Sequence, residues 1–449
     1  MSLQLIEKPR VSCALGGALA TVNALPRTAP ILHASMGCGN MTGVSMQGAS
    51  GYLGSSYCGG NSTPATGLGE SEVVFGGEQR LEEQLRATAE IVDADLYAVI
   101  TGCTAELIGD DARAVVRRYN QTRREKAPAI LISGAGFKGD SLWGYDATLE
   151  SLFRDYVRSE ARRRAGVVNL LGVPPAQDVW WHGNLVELRR ILSGLGLQVN
   201  TLFLPDDSLE RIARSASARA SVVVSPTHGV KAARALQEVH GTPYFTTDLP
   251  IGAKATRAFV QQVAAELELD SRLVSDFLQR EERRYYHVFN RIADAYADID
   301  LQRHVVVIGT IDYALALSRF VSQELGWLPE LVVVTDQVDE RAKQELTGRF
   351  SFLESAASQV VFETDGSQIA RRFAERWPGP SSGRYRRTFS PAFVLGSRLD
   401  RDWAESIGAG HLSVSYPVSN RVVLGRGYAG YDGALSLTED ILSVILASR

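Results

Sequence analysis

The chain has 449 residues, 45% of them hydrophobic and 22% charged, with a formal net charge of -4. That balance describes a globular protein of two to four domains, and without a long basic run it argues against nucleic acid as a partner. No stretch approaches about 18 uninterrupted apolar residues, and the first residues lack a basic region followed by an apolar core, so neither a membrane span nor a secretory leader is expected and the chain is assigned to the cytoplasm.

In chain order, "PRVSCALGGALAT" runs from a loop into a small-residue, helix-like segment and carries Cys13. "ILHASMGCGNMTG" is a short apolar run followed by Gly37, Cys38 and Gly39. Strands are predicted over 96–101, 128–133, 166–172, 221–225, 304–309, 330–336, 358–364 and 392–397. These runs are apolar throughout and β-branched, as suits parallel strands covered on both faces. Between them, 184–197 and 315–327 space apolar residues three to four apart, as helices do. A charged helix is expected over 151–166, a long helical passage over 255–300, and a surface loop over 377–388. Strand–helix alternation of this kind gives an α/β fold with parallel sheets, in three Rossmann-like domains: 1–160, which holds every cysteine, 161–300 and 301–449.

The chemistry concentrates in the first domain. Cys13, Cys38, Cys58 and Cys103 are the chain's only cysteines, and no Cys-x-x-Cys pair occurs. Cys13, Cys38 and Cys103 each stand near the end of an element, with Gly37, Gly39 and Gly102 beside two of them. Glycine lets backbone approach a bulky group, and thiolates suit iron–sulfur clusters. The competing reading takes each Cys as a small buried hydrophobe. Elsewhere, "GTIDYALAL" (309–317) lacks a dinucleotide-binding fingerprint, and His228 at a strand end reads as structural before catalytic. Asp110 and Asp111 read as a helix cap before a metal site.

The cysteine segments resemble the β subunit of the nitrogenase component-1 superfamily. "CALGGALATVNALPRTAPILHASMGC" is similar to that family's first P-cluster segment, with the same interval of 38 - 13 = 25 residues. "TGCTAELIGDD" resembles the segment bearing the third Cys, and "ESEVVFGGEQRLEEQL", "LWGYD" and "GRGYAGYDGALSLTEDIL" also match. The resemblance implies that Cys13, Cys38 and Cys103 ligate a P-cluster-like [8Fe-7S] centre shared with an α-type (D-like) subunit in an α2β2 heterotetramer. An ATP-dependent iron protein would deliver electrons, docking near Phe75, for which burial in the core is the competing reading. The substrate site would lie on the partner, so no catalytic residue is assigned to this chain. Backbone N–H groups around Gly37–Gly39 and Gly102 become candidate donors to the cluster. Cys58 falls between matched segments and is read as a non-ligand.

The departures from the family pattern are informative. Gly136, in "SGAGF" (133–137), occupies the position of a Ser that binds the oxidised P-cluster in dinitrogen reducers. The segment after Cys38 differs from theirs, and their N-terminal extension is not matched. Within the superfamily the chain most resembles the K subunit of nitrogenase-like methylthio-alkane reductases, which release methanethiol by C–S cleavage. Alternatives are a dinitrogen-reducing β subunit, a non-catalytic scaffold for cofactor assembly, and a tetrapyrrole-reductase-type subunit with a [4Fe-4S] cluster.

Overall fold

Register decides where the chemistry of this chain lies. In the computed structural model, which describes residues 6–52, 63–122, 126–160, 162–298, 301–353, 358–377 and 392–447, three strands form a first parallel sheet. They are β1 (Thr28–His33), β2 (Leu96–Thr101) and β3 (Ala129–Ser133), side by side in that order. His33 pairs with Thr101 and Thr101 with Ser133, so all three strands end in one row. Helix α1 (Ala14–Ala24) precedes β1, and α2 (Cys38–Ala49) follows it. Helices α3 (Glu70–Phe75) and α4 (Glu78–Ile91) lead to β2, and α5 (Cys103–Ile108) and α6 (Ala112–Thr122) lead to β3.

Leu81 and Leu85 of α4 and Val115, Val116 and Tyr119 of α6 pack with Ile31, Tyr97 and Val99 of the sheet. Helix α7 (Ser141–Asp155) follows β3 and packs against α1. A Cβ on Gly17 would fall 1.8 Å from the Ser141 carbonyl oxygen, and one on Gly144 would fall 2.0 Å from that of Ala14. The small residues of α1 therefore let two helix backbones meet, which larger side chains would forbid.

A second parallel sheet has β4 (Arg164–Leu171), β5 (Gln198–Asn200), β6 (Ala218–Val223) and β7 (Tyr244–Thr246) in the order β5-β4-β6-β7. Along the chain, α8 (Trp181–Gly194), α9 (Leu209–Ala213) and α10 (Val230–His240) lie between these strands. Helices α11 (Ala253–Glu266), α12 (Ser271–Phe289) and α13 (Ala293–Asp298) then precede a third sheet. Its strands β8 (His304–Gly309), β9 (Leu328–Val334), β10 (Gln359–Phe362), β11 (Ala392–Gly396) and β12 (Gly410–Ser413) lie parallel in the order β10-β9-β8-β11-β12. Helices α14 (Ile311–Gln323), α15 (Glu340–Gly348), α16 (Gly366–Arg376) and α17 (Arg401–Ser406) connect them, and α18 (Gly430–Ala447) ends the fold. The fold is thus α/β with several parallel sheets, as expected. Val11–His182 and Gly196–Thr246 form one compact unit with the first two sheets; Met1–Arg10, Gly183–Leu195 and Thr247–Arg449 form a second with the third sheet.

Two expectations need correction. The charged helix over 151–166 stops at Asp155. The Arg158 N–H is taken by the Ala213 carbonyl at 2.8 Å, and Arg164 enters the ladder opposite Ala218, so tertiary pairing overrides local helix preference. The passage over 255–300 is broken between α11 and α12, where Asp270 caps the new helix by accepting from the Arg272 and Leu273 N–H groups. Beyond Trp377, the loop expected at 377–388 lies outside the described residues. No described helix is long and apolar enough to cross a membrane.

Candidate metal centre

Each of three cysteines begins a helix. Cys13 immediately precedes α1, and Cys38 and Cys103 are the first residues of α2 and α5. All three thiols are free and exposed. They are not core hydrophobes. The start of a helix offers unpaired N–H groups and the positive end of the dipole, both of which favour a thiolate. Desolvation pushes the Cys38 thiol above the usual range, and the nearby Cys103 and Cys13 sulfurs add to it. Cys58 lies outside the described residues.

The segment after β3 joins two of these sites. The Gly134 N–H donates to the Thr101 carbonyl at 3.1 Å, and the Gly139 carbonyl accepts from the Ala14 N–H at 3.1 Å. Between them, the Gly136 N–H donates to Cys103 Sγ at 3.1 Å. A Cβ at Gly136 would stand 3.1 Å from Cys13 Cβ and 3.4 Å from Cys103 Sγ. Gly136 is therefore seated against both cysteines and meets the Cys103 sulfur with its backbone N–H.

The other glycines act mainly through their missing side chains. A Cβ on Gly102 would meet Ala34 Cβ at 2.7 Å, and one on Gly39 would meet Leu32 Cδ1 at 2.4 Å. Gly37 adopts φ +91°, a conformation that favours glycine. Together they let the Cys38 loop close on the Cys103 turn, where Ser35 and Thr104 hydroxyls hydrogen-bond. The Gly102 N–H is spent on the His33 carbonyl at 2.9 Å. It is not a donor to sulfur, because the loop after β1 continues alongside the end of β2 and takes that group.

Around the thiols the surface is apolar. Met36 is 83% exposed, Leu107 75% and Phe137 58%. Helix α3 buries none of its residues, and Phe75 is 86% exposed, which removes core filling as its role. The turn beyond α3 is held by polar contacts. Asp110 accepts from the Gly77 N–H at 2.8 Å and pairs with His33 Nε2 at 2.9 Å. Asp111 caps α6 as expected, accepting from the Ala114 N–H, while Asp110 does not. His228 is buried, and its backbone N–H donates to Ser225 Oγ.

Sequence reasoning missed a polar cluster beneath Gly136. Glu106 accepts from Thr101 and Ser133 hydroxyls at 2.7 and 2.6 Å, and its other oxygen meets Lys138 Nζ at 2.6 Å. Burial opposes its charge, but Lys138, Ser133 and Thr101 outweigh that and hold the carboxyl below its usual range. Only the position of Glu106 one turn beyond Cys103 hinted at it.

Among the described residues, no three His, Cys, Asp or Glu side chains gather closely enough to hold a single metal ion. Three exposed thiols at helix starts, with an N–H on one sulfur and a side-chain-free residue between two of them, instead fit one side of a larger iron–sulfur cluster, whose thiolates stand further apart.

Residues 13–446 match the family described as nitrogenase component 1 type oxidoreductase. The chain is 25% identical over 413 residues to the nitrogenase vanadium-iron protein beta chain of Trichormus variabilis, covering 85% of this chain and 84% of that one. It is 24% identical over 471 residues to the nitrogenase molybdenum-iron protein beta chain of Sinorhizobium fredii, covering 98% and 84%. It is 28% identical over 349 residues to the B-type component of the light-independent protochlorophyllide reductase of a Bradyrhizobium species, covering 75% of this chain and 61% of that protein's length. A solved structure described as nitrogenase Cp1 at pH 6.5 has the same fold, with a TM-score of 0.80 at 17% identity over 100% of this chain and 94% of that one. With its α/β sheets and its cysteine-bearing helix starts, the chain belongs to the nitrogenase component 1 type oxidoreductase family and is β-chain-like.

Proposed function

We propose that this chain is the β subunit of a cytoplasmic nitrogenase-like reductase, built as three α/β domains, that relays electrons from an ATP-dependent iron protein to an active-site cofactor on an α-type partner in an α2β2 assembly. Cys13, Cys38 and Cys103 would hold the near side of a P-cluster-like [8Fe-7S] centre, and the partner would complete it. When bound, such a cluster supplies the capacity to take up and give out electrons. The single observation that carries the reading is the seating of Gly136 between two of three exposed cysteines. The exposed Met36, Leu107 and Phe137 support a protein surface covering the thiols and keeping water from them. The exposed Phe75, on a helix that buries nothing, suits docking of the electron donor.

Gly136 also supports the choice of reaction. It has no oxygen with which to ligate, so the oxidised cluster would lack the serine bond of dinitrogen reducers. With the altered segment after Cys38, this favours reductive C–S cleavage of methylthio-alkanes. Likeness to the protochlorophyllide reductase component keeps a [4Fe-4S] alternative open. Iron analysis and EPR of the anaerobically purified complex, wild type beside Cys103→Ala, separate these. About eight interfacial irons per αβ pair, lost in the variant, are expected, and about four would favour the tetrapyrrole-reductase type. Methanethiol from methylthio substrates is the expected product; ammonia from dinitrogen instead would refute the substrate assignment.

A further inference from the structure

We propose that the Lys138–Glu106 ion pair is a positioning device for the cluster site, fixing the turn after β3 so that the Gly136 N–H stays on the Cys103 sulfur. This rests on the reading of the cysteines as cluster ligands. Two bridges span the same gap between α5 and that turn. One is the N–H to sulfur bond, from Gly136 to Cys103. The other joins Lys138, two residues beyond Gly136, to Glu106, one helical turn beyond Cys103.

The second bridge is locked in place. The Ser133 hydroxyl donates to Glu106 and accepts from Lys138, so its proton and a lone pair are both used. The Thr101 hydroxyl donates to the same Glu106 oxygen. Ser133 and Thr101 end adjacent strands in register. The pair is thereby referenced to the sheet edge and not to solvent. With side-chain exposures of 16% for Glu106 and 34% for Lys138, it is partly withdrawn from water and more rigid than a surface ion pair. Nothing else among the described contacts of the turn's centre ties it to α5, since Gly134 and Gly139 bind β2 and α1. A hydrogen bond to ligand sulfur favours the more reduced cluster, while the two charges of the pair largely offset each other, so the pair acts on the potential through the Gly136 N–H it holds in place.

The test uses Lys138→Met, Lys138→Arg and Glu106→Gln in the complex with the α-type partner. Three quantities are read: interfacial iron, midpoint potential from an EPR-monitored redox titration, and hydrogen exchange of the 134–139 segment in the full chain without iron. Lys138→Met and Glu106→Gln should both keep iron and speed exchange at Gly136 about tenfold, as expected for losing a charge-anchored restraint, and both should lower the midpoint potential through the loosened N–H to sulfur bond, whereas charge alone would raise it in Glu106→Gln. Lys138→Arg should restore both. A wild-type or raised potential in an iron-loaded Glu106→Gln complex would overturn the proposal, even if exchange changed, because the pair would then be merely structural. A wild-type complex without interfacial iron would instead sink the cluster reading beneath it.

Discussion

Glycine at position 136 withholds an oxygen and supplies a nitrogen. Its N–H already serves Cys103, and the space for a side chain is tight but not closed. Gly136→Ala should therefore keep iron while costing about 1–2 kcal/mol, since Cys13 must yield by a few tenths of an ångström; urea midpoints and iron content check this. A second residue gives a pH dependence. Asp146 accepts from the Gly229 and Ala232 N–H groups at the start of α10. Burial raises its carboxyl to about 6, although His228, those N–H groups and Lys231 pull it back. A carboxyl raised in the folded state contributes its full stability below its unfolded pKa of 3.8 and loses it as pH rises through about 6. The wild type should thus lose roughly 3 kcal/mol relative to Asp146→Asn between pH ~4 and ~7. Equal urea-midpoint slopes for the two proteins over that range would contradict this.

At the scale of elements, α1 decides where Cys13 stands. Its seating on α7 depends on Gly17 and Gly144, where an added Cβ would enter backbone. Gly17→Ala should cost ~3 kcal/mol or more, because neither helix can retreat without disturbing the sheet. Gly48→Ala, in α2 with nothing within 4 Å, should instead stabilise by about 0.5–1 kcal/mol. Chemical denaturation of the two variants gives opposite signs if this packing is right. The segment before Cys13 is anchored in a different way. Arg10 binds Asp400 Oδ2 at 2.9 Å and Ser397 at 3.0 Å, all buried. Arg10→Ala leaves Asp400 with an uncompensated buried charge and should cost about 3–5 kcal/mol, with Asp400→Asn in the same background recovering part of it. Strand positions were largely legible: β2 and β8 fall where their apolar runs predict, and β3, β4, β6, β9, β10 and β11 within a few residues, while β1 was read only as a short apolar run. Strands β5, β7 and β12 were not, since three or four residues are too few to carry a period.

At the scale of the whole molecule, three thiols stand exposed beside exposed Met36, Leu107 and Phe137, uncovered among the described residues. Phe137→Asp should abolish co-purification with an α-type partner while changing the chain's own stability by less than about 0.5 kcal/mol, as its side chain is exposed. Retained co-purification would count against this face as the subunit contact. The amino-acid sequence by itself determined the α/β class, the parallel strands, the three cysteine segments and the glycine at 136, because these are written in local periods, spacings and residue types. Only the tertiary structure decided that Cys13, Cys38 and Cys103 face outward, that the Gly102 N–H is already taken, and that Lys138 reaches Glu106. Those facts depend on strand register and helix crossing between residues tens of positions apart, and a polar network assembled across a sheet edge has no period along the chain from which to read it.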